Sequence, residues 1–401
     1  MFNLRHKLGE SYSPLYFLSA LGAGGAVVTF FMYLMFMTPH PGTPIPTWES
    51  LQAVLHGNNP MLQLLVAVAL VGTVVFTVLH VRLLVWNVNE YRYFRRTETF
   101  QKLLKSNSEV QLMAIPLTFA MTINVGFIAG ALFVPGLWSV VEYLFPLAIV
   151  AFGIAGWFAA RIFIEFMSRV LVTGHFDCSR NNNLSQMLAI FAFGMVGVGF
   201  SAAAAMSTVP LTSGIGLVLS LLFISTAGLL AVTKLILGFR SMLEHGIDRE
   251  ASVSLWIIIP IITVSGIALY RLSMAMHHNF GLHIEPIESL GLLTVLLSVQ
   301  ILFAVLGYAV MRKLGYFDAY VHGKEKSAGS FALICPGVAG YVMGFFFIHV
   351  GLVGTGLLEK NSLAYFFLLV PLVVLQVQTL WTMLHLNGKL LNKPQPALLT
   401  A

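Results

Sequence analysis

Ten stretches of this chain are long and apolar enough to cross a membrane, and no other feature constrains its fold as strongly. About 30 Å of hydrocarbon is crossed by roughly 20 helical residues. The stretches run near 13–37, 60–87, 111–134, 140–168, 184–207, 213–239, 252–274, 289–313, 329–355 and 363–388. They cannot form the interior of a soluble domain. Apolar residues make up 58% of the 401 and charged residues 9%, against about 45–50% and about 25% in soluble proteins. The expected fold is an all-α polytopic membrane protein, a single transmembrane domain over residues 1–401 with no inserted soluble unit. The polar stretch Met1 to Glu10 runs into an apolar segment too long for a cleaved signal peptide and without a small-residue cleavage site. With two cysteines, Cys178 and Cys335, no disulfide framework is implied.

Orientation follows from Lys and Arg. With ten spans and the N-terminus inside, 20 of these residues fall on or near the cytoplasmic face, and only Arg271 and Lys360 fall outside. The bias holds loop by loop, so it supports the span count independently of hydropathy. Both termini are expected in the cytoplasm, with the spans in the inner (plasma) membrane. The net charge of +6 is explained by this bias rather than by nucleic-acid binding. The longest cytoplasmic connection, 88–110, mixes Tyr91, Phe94, Phe100, Leu103 and Leu104 with Arg92, Arg95, Arg96, Lys102 and Lys105. It reads either as an amphipathic helix on an anionic lipid surface or as a solvated connector.

The spans are of two kinds. Odd-numbered ones carry the helix irregularities: Gly22, Gly24 and Gly25 in the first, Pro116 and Gly126 in the third, and Gly194, Gly197 and Gly199 in the fifth. Pro260 and Gly266 interrupt the seventh, and Pro336, Gly337, Gly340 and Gly344 the ninth. Even-numbered spans are richer in Leu, Val, Ile and Phe. Helices that touch each other favour small residues, and backbone groups freed near Pro or Gly need protein or a water-filled cavity to satisfy them. The expected arrangement is five helical hairpins, with an inner ring of the five odd-numbered helices inside an outer ring of the five even-numbered ones. The connections repeat too: Gly174-His175-Phe176-Asp177, Gly246-Ile247-Asp248 and Gly315-Tyr316-Phe317-Asp318 each follow an even span. There glycine can end one helix at positive φ and aspartate can cap the next.

This plan resembles the tellurite-resistance/dicarboxylate transporter family, which includes the bacterial TehA-type and plant slow-type anion channels. Leu18-Ser19-Ala20-Leu21-Gly22-Ala23-Gly24-Gly25 is similar to that family's glycine-rich first inner helix. Ser330-Phe331-Ala332-Leu333-Ile334-Cys335-Pro336 is similar to its aromatic segment before a proline on the ninth helix. The resemblance implies a central pore lined by the inner helices, a homotrimer with one pore per subunit, and a phenylalanine plug on the ninth helix. Cys335 stands where that plug would be; Phe331, or one of Phe345, Phe346 and Phe347, could replace it. The chain also resembles the TsoY-like (seleno)protein branch, which implies a redox or chalcogen-handling role for Cys335.

Among single residues, Cys335 reads either as a pore position beside the kink at Pro336 or as a small buried apolar side chain. Thr118, Thr122, Asn124, Thr263 and Ser265 can offer neutral donors to a passing anion or bond helix to helix. Glu142 and Glu165 lie towards the ends of the fourth span, and no Asp or Glu sits mid-helix on an inner span, which disfavours ion-coupled pumping and cation transport. His80 and His385 share one half of the membrane, so a bis-histidine haem is conceivable, whereas His349 lies near the opposite face. His277, His278, His283, Glu285 and Glu288 sit in one external loop without a recognised metal spacing. No cofactor, no nucleotide-driven step and no enzymatic activity are expected. The leading expectation is a channel or uniporter for a small inorganic or organic anion. The alternatives are a carrier for a dicarboxylate or a sulfur or chalcogen oxyanion, and a membrane redox protein using Cys335.

Overall fold

The computed structural model describes residues 3–174 and 182–393. Cys178 and the His175-Phe176-Asp177 part of the first repeated turn lie outside them. The described chain is all-α and polytopic, with ten helices long and apolar enough to cross a membrane. In order they are Pro14–Met37, Pro60–Phe94, Asn107–Phe133, Leu137–Thr173, Ser185–Met206, Pro210–His245, Glu250–Phe280, Pro286–Lys313, Ala328–Val353 and Leu363–Leu391.

Small residues decide which spans are interior. A Cβ on Gly22 would meet Ile334 at 2.8 Å, one on Gly25 would meet Val338 at 3.1 Å, and one on Gly194 would meet Val264 at 2.8 Å. Each of these glycines lets one odd span approach another. In the most apolar stretch of each odd-numbered span, 56–94% of residues are buried within the protein, against 22–33% for the even-numbered ones. The first span packs against the third and ninth, the third against the fifth, the fifth against the seventh, and the seventh against the ninth. Every even span lies along its own hairpin partner and also touches the next odd span, the tenth touching the first.

Each odd span opens on a 3₁₀ turn: Pro14–Tyr16, Asn107–Met113, Ser185–Met187, Glu250–Ile257 and Ala328–Leu333. Four of these turns follow a short polar side chain that accepts the backbone N–H two residues on. The pairs are Ser13 with Leu15 (3.2 Å), Ser106 with Ser108 (3.2 Å), Asn183 with Ser185 (2.9 Å) and Ser327 with Gly329 (3.1 Å). At the other end of the hairpin repeat, Gly174, Gly246 and Gly315 have φ of 66°, 74° and 67°. The aspartates do not share this regularity. The helices after Gly246 and Gly315 start without a side-chain cap from Asp248 or Asp318.

The connection 88–110 takes neither expected form. The second span continues to Phe94, a short helix covers Glu98–Leu103, and the chain folds back on itself. Phe100 is buried edge-on against Tyr91 and Phe94, with ring centroids 6.2 and 5.5 Å apart, and Leu103 and Leu104 pack on the core. Phe94 and Phe100 therefore face protein.

The two ends of the described chain are joined. Arg5 N–H donates to Leu391 O at 2.9 Å and Lys393 N–H to Asn3 O at 2.8 Å, so both ends lie on one face. Glu90, buried at the end of the second span, accepts the backbone N–H groups of Lys7 (3.0 Å) and Leu8 (2.8 Å). Lys7 is exposed and Leu8 half-buried, so water can reach both donors and the loss is that of two ordinary hydrogen bonds, about 1 kcal/mol each. Glu90→Ala is therefore expected to release the N-terminal segment and speed tryptic cleavage at Arg5 and Lys7. Unchanged cleavage would show that Glu90 does not hold it.

Candidate functional site

The five odd spans wall two cavities, end to end. The first, of about 680 Å³, opens on the face that carries the chain ends. Its rim is built from the 3₁₀ entries, which hydrogen bonds tie together. Ser13 Oγ donates to Gln111 Oε1 (3.3 Å), Gln186 Nε2 to Asn107 O (2.8 Å), and Leu184 N–H to Ser254 Oγ (3.0 Å). Asp248, Glu250 and Lys326 are the charged residues in this vestibule wall. The second cavity, of about 170 Å³, lies deeper and is mainly apolar. Its walls come from the first, third, fifth, seventh and ninth spans plus Ile45 of the first loop. Phe191, Pro260 and Cys335 belong to the walls of both cavities and mark their junction. No residue of an even-numbered span lines either one.

The chain matches no protein-family model and no curated protein. The site must therefore be read from its own residues.

The residues singled out in the sequence divide into two groups. Gly22, Asn124, Pro260, Thr263, Cys335 and Phe346 line the inner chamber. Phe331, Pro116, Pro336, Thr122 and Gly197 do not line either cavity. Phe331 is fully buried edge-on to Tyr16, 6.2 Å between centroids. A Cβ on Gly197 would meet Ile224 at 2.7 Å, so this glycine serves contact with the sixth span. Most of the neutral donors are engaged in packing. Thr118 Oγ1 donates to Ala114 O (2.7 Å) and lies 3.2 Å from Phe17 O, while Thr122 Oγ1 meets His80 Nε2 at 2.9 Å. Thr263 reaches the chamber wall, yet its hydroxyl lies 3.1 Å from Ala339 O and accepts Gln300 Nε2. Asn124 is less constrained. Its amide donates to Ala120 O at 3.1 Å, and its other neighbour is Met195 Sδ at 3.8 Å.

The histidines have local partners. His80 uses both ring nitrogens, towards Ala20 O (2.7 Å) and Thr122 Oγ1. His385 Nε2 meets Val321 O at 2.9 Å, and its ring stacks on Trp381. His349 bridges Phe345 O and the Tyr365 hydroxyl, both at 2.8 Å. Among the described residues no group of three or more His, Cys, Asp or Glu is placed to hold a metal ion. The two acidic groups of the fourth span are engaged away from the cavities. Glu142 accepts Ser207 Oγ (2.6 Å) and Thr208 N–H (2.7 Å), and Glu165 pairs with Arg161 at 2.8 Å.

Arg271, which the charge count assigns to the outer face, lines the inner chamber and is its sole charged residue among the described ones. The α-helix of the seventh span runs on to Phe280, roughly 13 Å further at 1.5 Å per residue. The available signal was that length: an arginine followed by Leu272, Met274, Ala275 and Met276 on the same helix sits inside a span, not at its end.

Proposed function

We propose that this chain transports small anions through an axial conduit ringed by the five odd-numbered spans, on the plan of the TehA-type channels it resembles. The observation that carries this reading is the pair of cavities walled by the odd spans and the loops beside them, with no even-span residue, and meeting at Phe191, Pro260 and Cys335. Sign comes from charge. Among the described residues the deeper chamber has no carboxylate to attract a cation, and its one ionic group is Arg271. All five odd spans begin at the vestibule. The positive ends of their helix dipoles therefore face an entering anion. The Lys and Arg bias supports a cytoplasmic vestibule, with both chain ends in the cytoplasm and the protein in the plasma membrane.

The test is flux in liposomes containing only the purified protein. Under a nitrate or chloride gradient, the expected current reverses where the anion gradient predicts. Reversal at the potassium potential would refute anion transport, and so would the absence of current together with the absence of tracer-anion uptake. Saturable uptake without current would identify a carrier rather than a channel.

A further inference from the structure

Arg271 is poorly paired for a cation in a mainly apolar chamber. A guanidinium has five N–H donors, but the contact seen is from Nη1 to Val198 O at 3.3 Å. No carboxylate of the described residues lies within ion-pair distance. The chamber that it lines is otherwise walled by side chains such as Met121, Phe127, Met195, Val338 and Phe346. A bare cation among such groups is unfavourable unless a counter-charge or water meets it. The chamber supplies space for one, about 170 Å³.

We propose that Arg271 is a discrete binding site for the transported ion and selects a small planar monoanion, a short monocarboxylate or nitrate. This rests on the anion-transport reading above. One fixed positive charge balances one negative charge. The second carboxylate of a dicarboxylate would stand unpaired against thioether and phenyl groups, and so would the second charge of sulfate. A planar oxyanion matches the fork of the guanidinium with two parallel hydrogen bonds, a geometry lysine cannot supply. Its remaining atoms meet an apolar wall, which suits a weakly hydrated body. Asn124 is the chamber's other adaptable donor, since its contact to Met195 Sδ at 3.8 Å is weak and can yield to an oxygen. Ile45, from the loop between the first two spans, completes the wall. The bound ion is thereby enclosed between that loop and the Cys335 junction.

The experiment compares wild type, Arg271→Gln and Arg271→Lys in liposomes and in detergent. Wild type should take up nitrate and acetate saturably, and succinate and sulfate at least about tenfold more slowly. Nitrate or acetate should raise its unfolding temperature. Arg271→Gln should lose that thermal shift and about tenfold or more of the uptake. Arg271→Lys should keep the sign of selectivity with a higher half-saturation concentration, and it decides the matter if the glutamine variant fails to fold. Nitrate or acetate binding by either variant as in wild type would overturn the site while leaving anion transport standing. Wild-type succinate uptake as fast as acetate uptake would overturn the single-charge selection. A wild type that moves neither chloride nor any of the four anions would overturn the transport reading itself.

Discussion

Replacing Cys335 with phenylalanine is expected to lower anion flux by about tenfold or more, an added barrier of at least about 1.4 kcal/mol, while Cys335→Ala stays near the wild-type rate. The reason is position. Cys335 is the one residue of the ninth span that faces both the vestibule and the inner chamber, and Phe191 and Pro260 complete the junction. The thiol is small, and Phe191 is the bulkiest of the three side chains at the junction. A second phenyl group there would fill the remaining gap and expel water from it, and an apolar constriction gates by dewetting. Alanine removes little volume and leaves the passage open. Flux measured in liposomes at matched protein content checks both variants, with size-exclusion profiles confirming that each is folded. Equal flux in Phe and Ala variants would remove Cys335 from the conduit.

The same residues show how far a sequence can be read in this fold. Span number and the inward bias of the odd spans are written in residue size, because lipid accepts Leu and Phe whereas a neighbouring backbone accepts only Gly, Ala or Ser. Gly22 and Gly194 make that explicit, each with another odd span's side chain within 3 Å of the Cβ it lacks. The face a residue presents is harder to read. Thr122 and Asn124 are two positions apart on one helix, yet one bonds to His80 and the other reaches the chamber. Phe331 and Cys335 are four apart, yet the first is locked against Tyr16 and only the second lines a cavity. Such rotations depend on helix packing, and the few polar residues of the inner helices bond to neighbouring helices as often as they face a cavity, so no amphipathic stripe announces the conduit. Arg271 escaped for a different reason. Charge counting assigns an arginine near a span end to the nearer aqueous face, whereas the helix runs on to Phe280 and the side chain lines the inner chamber.

A larger effect on stability is expected at Gly216, which sets the distance between the fifth and sixth spans. A Cβ there would lie 2.9 Å from both Ala204 N and Phe200 O. These are backbone atoms of the facing helix and cannot rotate away as a side chain can. Two hydrogen bonds depend on the same approach: Ser213 Oγ to Ala204 O at 2.7 Å and Ser220 Oγ to Gly197 O at 2.8 Å. The small residues recur along one buried face of the sixth span, Ser213, Gly216 and Ser220, so a bulky side chain at the middle position pushes apart the contacts on either side. Overpacking costs about 1–3 kcal/mol. The two interhelical bonds add about 0.6 kcal/mol each. Better helix propensity returns less than about 1 kcal/mol. Gly216→Leu should therefore destabilise by about 2–3 kcal/mol. Gly228 lies on the same helix with nothing within 4 Å of its missing Cβ, so Gly228→Leu gains propensity and a lipid-facing side chain without a clash. Unfolding of the two variants in a denaturing-detergent titration separates them, and equal midpoints would mean that the fifth and sixth spans are not held at the distance Gly216 permits.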